Sequence, residues 1–308
     1  MLKLSIIVPV YNEEETVALF YDAVQAVHAE LTDVEYEYWF IDDGSADHTM
    51  DEVRKLQAKD AAVHYVTFAR NFGKEAALYA GLKNATGDLV TVMDVDLQDP
   101  PALLPEMIAG VVSGEWDCIG TRRVSRDGES KIRTMFANTF YWLINKISPV
   151  EMVPGARDFR VMTRQMVDAI LELGEYNRFS KGIFSWVGFK TKYLEYKNIE
   201  RVAGTTSWSF WGLFRYAIEG IVTFSETPLM IASGLGAAMA GVATISMIFV
   251  IIRALINNTS VAGWASTISI VLFIGGVQLL VLGIIGRYIG NIYMEVKHRP
   301  IYVAREIK

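Results

Sequence analysis

The chain has 308 residues, a formal net charge of −6 and a single cysteine, Cys118. The acidic balance argues against a nucleic-acid binder, whose footprint is basic, and one cysteine excludes an intramolecular disulfide and suits a reducing compartment. Hydrophobic residues make up 52% of the chain, which is high for a soluble protein, and the excess is concentrated in two C-terminal runs.

In chain order, Met1-Leu-Lys-Leu-Ser-Ile-Ile-Val-Pro9 lacks the long apolar stretch and small-residue cleavage site of a signal peptide. The globular part is therefore expected in the cytosol. Leu4–Val10 is a continuous apolar run, the pattern of a strand buried on both faces. Glu13–Leu31 has helical spacing, Tyr36–Ile41 reads as a strand and Asp47–Lys59 as a helix. His64–Phe68 is a further strand, Lys74–Ala85 a helix, and Leu89–Met93 a strand. Pro101–Ser113 is helical, with prolines tolerated in its first turn, and Asp117–Gly120 is another strand. Strands alternating with helices imply an α/β domain with a mostly parallel, Rossmann-like sheet.

After Arg122 the pattern changes. Lys131–Ile147 is amphipathic, with Ile132, Phe136, Phe140, Leu143 and Ile147 on a shared face. Both a core-facing helix and a membrane-surface helix are open readings there. Phe210–Phe224 is rich in Trp and Phe, residues that collect at the headgroup level, and is expected to be interfacial. Leu229 to Ile252 contains no charge, and none recurs between Ala254 and Gly286. Transmembrane helices are expected at Pro228–Ile252 and Ser266–Ile285, because uncharged runs of this length span a bilayer. Arg287, Lys297, Arg299, Arg305 and Lys308 follow the second span, whereas the loop Arg253–Ala265 carries only Arg253. The positive-inside bias then puts both termini in the cytosol. Small-residue spacings, Ser233/Ala237/Gly241 and Gly286/Gly290, permit close helix contact within or between chains. The expected organisation is a cytosolic domain over 1–208, an interfacial helix over 209–227, a two-helix membrane hairpin over 228–286 and a cytosolic tail over 287–308.

The chemistry concentrates where Leu89–Met93 runs into Asp94-Val-Asp96. Carboxylates at the C-terminal end of a strand lie where open α/β sheets bind ligands, and strand alternation is expected to put residues i and i+2 on one face. Two hard oxygen donors suit Mg²⁺ or Mn²⁺, which take one or two carboxylates plus substrate phosphates. A metal-bound diphosphate is the expected ligand. Val8-Pro-Val-Tyr-Asn-Glu-Glu14 and Ile41-Asp-Asp-Gly-Ser45 close two other strands at the same edge. There the Tyr11 ring can stack on a base and Asp43 can accept a base N–H. His28, His48, His64 and His298 are scattered without the ligand spacing of a zinc site.

Ser5-Ile-Ile-Val-Pro-Val-Tyr-Asn-Glu13, Ile41-Asp-Asp-Gly-Ser45, Asn71-Phe-Gly-Lys74 and Met93-Asp-Val-Asp-Leu-Gln-Asp-Pro-Pro101 resemble family-2 glycosyltransferases of the GT-A fold. The resemblance extends over essentially the whole chain to the polyprenyl-phosphate sugar transferases, the dolichyl-phosphate mannose synthases and the bactoprenol (undecaprenyl-phosphate) glucosyltransferases. The two C-terminal spans and Arg157-Asp-Phe-Arg-Val-Met162 favour the latter. The resemblance implies a UDP-sugar donor held around Pro9, Tyr11, Glu13, Asp43, Asp94 and Asp96, with a divalent cation, Mg²⁺ or Mn²⁺, on Asp94, Asp96 and Gln98. It implies a catalytic role for Asp158, and acceptor-phosphate contacts from Arg122, Arg133 and Arg201, with Trp208 at the headgroups.

The acceptor it implies is undecaprenyl phosphate at the cytosolic face of the inner (plasma) membrane, with inversion at the sugar and a homo-oligomeric assembly. A lipid phosphate with a second pKa near ~6 is mostly ionised at neutral pH. Asp158 can therefore take the residual proton, orient the phosphate or stabilise positive charge at the anomeric carbon. GDP-mannose and other UDP-sugars, UDP-GlcNAc among them, stay open as donors. A processive synthase would need a Gln-x-x-Arg-Trp motif and more spans. A non-catalytic membrane scaffold is disfavoured by the intact Asp94, Asp96 and Asp158.

Overall fold

A computed structural model describes residues 1–124, 131–196, 210–257 and 263–308. The chain opens with β1 (Leu2–Val10), α1 (Val17–His28), β2 (Val34–Asp42), α2 (Thr49–Lys59), β3 (Val63–Phe68), α3 (Lys74–Asn84) and β4 (Leu89–Val92). A short 3₁₀ turn leads into α4 (Leu104–Val112), then β5 (Cys118–Arg123) and α5 (Lys131–Ile147). There follow β6 (Ala156–Thr163), α6 (Arg164–Glu172), α7 (Ser180–Trp186), β7 (Thr191–Tyr196), α8 (Phe210–Phe224), α9 (Thr227–Asn257), α10 (Trp264–Val296) and β8 (Ala304–Ile307).

The strands form one sheet in the order β7-β5-β6-β4-β1-β2-β3-β8. Pairing is parallel for β1–β2, β1–β4, β2–β3 and β5–β7, the mostly parallel core that the alternating pattern predicts. β6 departs from it, lying antiparallel between β4 and β5. The central strand β1 buries Leu4, Ile6, Ile7 and Val8 completely, which is why it reads as unbroken apolar sequence. One face packs Val17, Phe20 and Val24 of α1 and Met107 of α4. The other packs Ala76, Ala77 and Leu82 of α3 and Met166 and Ile170 of α6. Pro9 is compatible with a central strand for a local reason. The Ile7 carbonyl accepts the Met93 N–H on the β4 side, so Pro9, two residues on, turns its missing donor to where β4 has already ended.

Two segments differ from the sequence reading. The stretch after Arg287 is not a free tail: α10 continues to Val296, and Ala304–Ile307 then pairs antiparallel with β3. The sheet domain is thus closed by the last residues of the chain rather than ending at 208. The Glu295 carboxylate accepts the Tyr176 N–H at 2.9 Å, and the Tyr288 hydroxyl donates to the Ser225 carbonyl at 2.7 Å, fastening α10 to the domain. In α5 the packed residues are Tyr141 and Ile144, with Phe140 and Ile147 beside them against Phe179, Ile221 and Phe224. Met135, Phe136 and Trp142 are exposed, so this helix is core-facing toward its C-terminal end and apolar outward elsewhere. Thr227–Val250 and Phe273–Val296 are long and apolar enough to cross a membrane, and neither window is buried against the rest of the chain.

Candidate active site

Strand polarity decides which residues meet. β1, β2 and β4 run parallel, so the turns after them, Tyr11–Glu13, Asp43–Ser45 and Asp94–Asp96, open on one edge of the sheet. β6 runs the opposite way, so its first residues, Ala156–Asp158, arrive at that same edge. At this edge lies a cleft of about 400 Å³ lined by Pro9, Tyr11, Glu13, Asp43, Asn71, Gly73, Lys74, Asp94 and Asp96.

The nucleotide-side residues expected from sequence all line this cleft. Tyr11 is 44% exposed, leaving its ring open for stacking. Asn12 beside it has φ +54°, a conformation Asn tolerates better than most residues, and its side-chain carbonyl accepts the Ala46 N–H at 2.9 Å. The Glu13 carboxylate accepts from the Thr16 hydroxyl at 2.8 Å. Asp43 is buried, and it orders the neighbouring loop by accepting from Phe72 N–H at 2.6 Å and Gly73 N–H at 2.9 Å. Burial pushes its carboxyl above the usual range, opposed by those N–H bonds. Gly73 adopts φ +96° while making them, which a β-carbon would strain.

The Asp94/Asp96 pair is not presented by strand alternation, as the sequence reading supposed. β4 ends at Val92, and both acids sit in the turn beyond it. Asp96 is buried and its carboxylate accepts the Gln98 N–H at 3.1 Å, closing a turn in which Leu97 has φ +56°. A non-glycine residue in that region is the kind of strain found at functional turns. Gln98 contributes this backbone bond, and its side chain is not among the cleft-lining groups. Among the described residues no three His, Cys, Asp or Glu side chains cluster as a metal cage. The donor set is two carboxylates beside a roomy cleft, which suits a cation completed by substrate phosphates.

Lys74, the first residue of α3, ends the Asn71–Lys74 motif and joins two parts of the site. Its ammonium lies 2.7 Å from Asp94 Oδ1 and 2.7 Å from Asp158 Oδ2, tying the β4 turn to the start of β6. The Asp158 side chain is 16% exposed. Burial alone would raise its pKa, but the Lys74 ammonium, the Lys181 charge and Arg160 outweigh that and hold the carboxyl well below the ordinary carboxylate range. Lys181 is set by the first turn of α7, where the Ser180 N–H donates to Glu75 at 2.9 Å.

A further network was not legible locally. Asp99 is buried and accepts from Arg157 Nε at 3.0 Å and from the Tyr196 hydroxyl of β7. Arg157 Nη2 also lies 4.0 Å from Asp94 Oδ2. Tyr196 thus braces, through Asp99 and Arg157, the same carboxylate that Lys74 holds. The signal was present in Asp99 and Arg157, but the partner strand lies 97 residues from Asp99.

The expected acceptor-phosphate residues are not brought together among the described side chains. Arg122, near the end of β5, reaches the same edge of the sheet, since β5 and β4 each run antiparallel to β6. Its guanidinium is 3.7 Å from Glu195 rather than in the cleft. Arg133 falls in the first turn of α5, where only the backbone is described, and Arg201 and Trp208 lie outside the described residues.

A sheet edge carrying a turn of paired carboxylates beside an open cleft is the α/β architecture in which ligands bind at the strand ends. The chain belongs to glycosyl transferase family 2, whose pattern matches residues 5–171. It is 41% identical over 307 residues to a prophage bactoprenol glucosyl transferase homolog of Escherichia coli, covering 100% of both chains. It is 42% identical to the bactoprenol glucosyl transferase of Shigella phage SfV, covering 100% of this chain and 99% of that one. Among solved structures, glucosyl-3-phosphoglycerate synthase of Mycobacterium tuberculosis aligns with a TM-score of 0.48 at 17% identity, over 72% of this chain and 78% of that one.

Proposed function

We propose that this glycosyltransferase moves glucose from UDP-glucose to bactoprenol phosphate at the cytosolic membrane surface, releasing UDP. The observation that carries the reading is full-length similarity, 41–42% over essentially every residue, to proteins named bactoprenol glucosyl transferases. The cleft supports it by placing an open aromatic ring, a buried carboxylate and a carboxylate pair along one edge.

In this reading Pro9, Tyr11, Glu13 and Asp43 hold the uridine, while Asp94 and Asp96, with Gln98 shaping their turn, hold Mg²⁺ or Mn²⁺ on the diphosphate. When bound, the cation supplies Lewis-acid neutralisation of the charge on departing UDP. A phosphate oxygen of the lipid forms the new bond to the anomeric carbon as the bond to the β-phosphate oxygen breaks, its electron pair leaving with UDP. One displacement inverts the anomeric centre. Asp158 remains an anion because of Lys74, and an acid so strongly ionised is a poor proton acceptor. Of the roles open to it, stabilising positive charge at the anomeric carbon fits best, since the acceptor phosphate is largely ionised already. Arg122, Arg133 and Arg201 are assigned to the acceptor phosphate.

Two membrane crossings explain how the site meets a lipid substrate. β8 follows α10 and pairs with β3 of the same sheet. A chain that leaves this domain through α9 and rejoins it after α10 crosses an even number of times, which favours both termini on one side. The outward apolar residues Phe136 and Trp142 of α5 suit contact with the headgroups.

The test is incubation of the full-length protein in membranes with bactoprenol phosphate and a panel of radiolabelled nucleotide sugars. Labelled lipid from UDP-glucose, in excess over UDP-GlcNAc and GDP-mannose, is expected. Preference for another donor would replace the sugar, and no lipid product from any donor would overturn the reading.

A further inference from the structure

Lys74 stands in an electrostatically awkward place. It is the first residue of α3, where the helix dipole disfavours a cation. Two carboxylates offset this: its ammonium is 2.7 Å from both Asp94 and Asp158. The side chain lines the cleft and remains 34% exposed. It can therefore move without unpacking a core. The two acids differ in what else they have. Asp94 belongs to the paired-carboxylate turn and also faces Arg157 at 4.0 Å. Asp158 is less exposed, at 16% against 24% for Asp94, and depends on Lys74 for its direct ion pair among the described residues.

We propose that Lys74 is a positioning residue that occupies Asp94 in the free enzyme, yields it to the divalent cation, and keeps Asp158 in place throughout. The inference rests on the transferase reading above and adds to it a handover between two cations at one carboxylate. Before donor binding, the ammonium neutralises Asp94 and Asp158, which it holds close together and which would otherwise repel each other. Lys74 and a cation then compete for Asp94, so metal binds weakly until the nucleotide diphosphate supplies further oxygens. That ordering links metal occupancy to donor occupancy. Once Asp94 is taken, the ammonium's remaining partner is Asp158, and it fixes that carboxylate beside the reacting carbon.

The handover makes a signed prediction that a merely structural lysine does not. In K74M the competing charge is gone, and a unit charge at ion-pair range acts on a divalent ion appreciably even when partly screened by water. Mn²⁺ binding to the full-length protein without nucleotide, read from loss of the free-ion electron paramagnetic signal, is expected to tighten about tenfold. In the same variant kcat is expected to fall about a hundredfold while KM for UDP-glucose changes less than about threefold. K74R keeps the charge and is expected to keep the Mn²⁺ constant within about threefold of wild type. K74Q, which retains a donor for both carboxylates without charge, carries the K74M expectation should that variant fail to fold.

Tighter Mn²⁺ binding with slower turnover supports the handover. Wild-type binding of Mn²⁺ with an unchanged or weaker constant in K74M or K74Q overturns it and leaves the transferase reading standing. A wild-type protein that transfers glucose but binds no Mn²⁺ overturns the metal assignment and the handover together.

Discussion

The cleft edge is built from two regions of opposite strand polarity. On the side proposed to hold the donor, β1, β2 and β4 run parallel, and each delivers cleft-lining residues within a few positions of its own C-terminal end: Pro9, Asp43 and Asp94. On the other side β6 runs antiparallel to β4 and delivers Asp158 from its beginning, where Arg160 pairs with Val92. The donor side is therefore announced by local sequence, an apolar run followed by acids. The Asp158 side depends on pairing over a long separation in the chain, and a site there is visible only through a family motif or a structure. The lesson is that reversing β6 within a mostly parallel sheet brings residues distant in sequence, Asp94 and Asp158, to one edge.

Predictions follow from how differently the two sides are held. The largest effect is expected on the donor side. D96A should lower transfer by on the order of a thousandfold or more, with loss of Mn²⁺-dependent UDP binding by calorimetry, since it removes half of the protein's donor set for the cation. An enzyme that kept its metal dependence would break the assignment of that turn. Next, D158N should reduce kcat about a hundredfold and change KM for UDP-glucose much less, because the role proposed for Asp158 is at the reacting carbon rather than in holding the nucleotide. The pH profile sharpens this. Asp158's carboxyl is held far below the ordinary range, burial being outweighed by Lys74, so between about pH 5 and 8 no acid limb of kcat should belong to it. An acid limb that D158N removes would restore a general-base role.

Smaller effects belong to the braces. Y196F removes one of the two hydrogen bonds that Asp99 Oδ1 accepts, leaving that from Arg157 Nε, and should cost about 1–2 kcal/mol of stability. Through Arg157 it should also lower kcat by roughly tenfold. Thermal melts and initial rates on the same preparation separate the two. The smallest effect is remote from the site. Glu37 is buried and accepts from Lys3 Nζ at 3.0 Å, Thr86 N–H at 3.1 Å and the Ser5 hydroxyl. Burial raises its pKa, but these donors win and bring it down to about 2 from 4.5. A depressed carboxyl stabilises the fold fully above the unfolded value and loses that contribution as pH falls through the folded one. The Tm gap between wild type and E37Q should therefore be open at pH 7 and close between pH 4.5 and about 2, with catalysis at pH 7 unaltered.

Much of this was readable from residues alone because its physics is local. Leu4–Val8 reads as a buried strand because both its faces are covered, and the acids after β4 stand out against an apolar run. The apolar segments of α9 and α10 needed only length and composition. What escaped was set by contacts distant in sequence. Lys74 belongs to the Asn71–Lys74 motif, but its partners show only once β4 and β6 place an aspartate on each side of it. β8 has four residues, two of them charged, and is a strand because β3 offers it an edge rather than by its own propensity. β7 alternates in Thr191-Lys-Tyr-Leu-Glu-Tyr196, yet its role shows only when the Tyr196 hydroxyl meets Asp99. The supposed strand alternation of Asp94 and Asp96 failed because a turn, ordered by Asp96 and the Gln98 N–H, replaced the strand.

The account is tested most directly by one transfer assay on purified full-length wild type and D96A, with UDP-[¹⁴C]glucose and bactoprenol phosphate, with and without EDTA. It predicts radiolabelled glucosyl lipid from the wild type that is lost with EDTA and absent from D96A. Lipid product that survives both EDTA and the substitution, or no lipid product from the wild type, would contradict it.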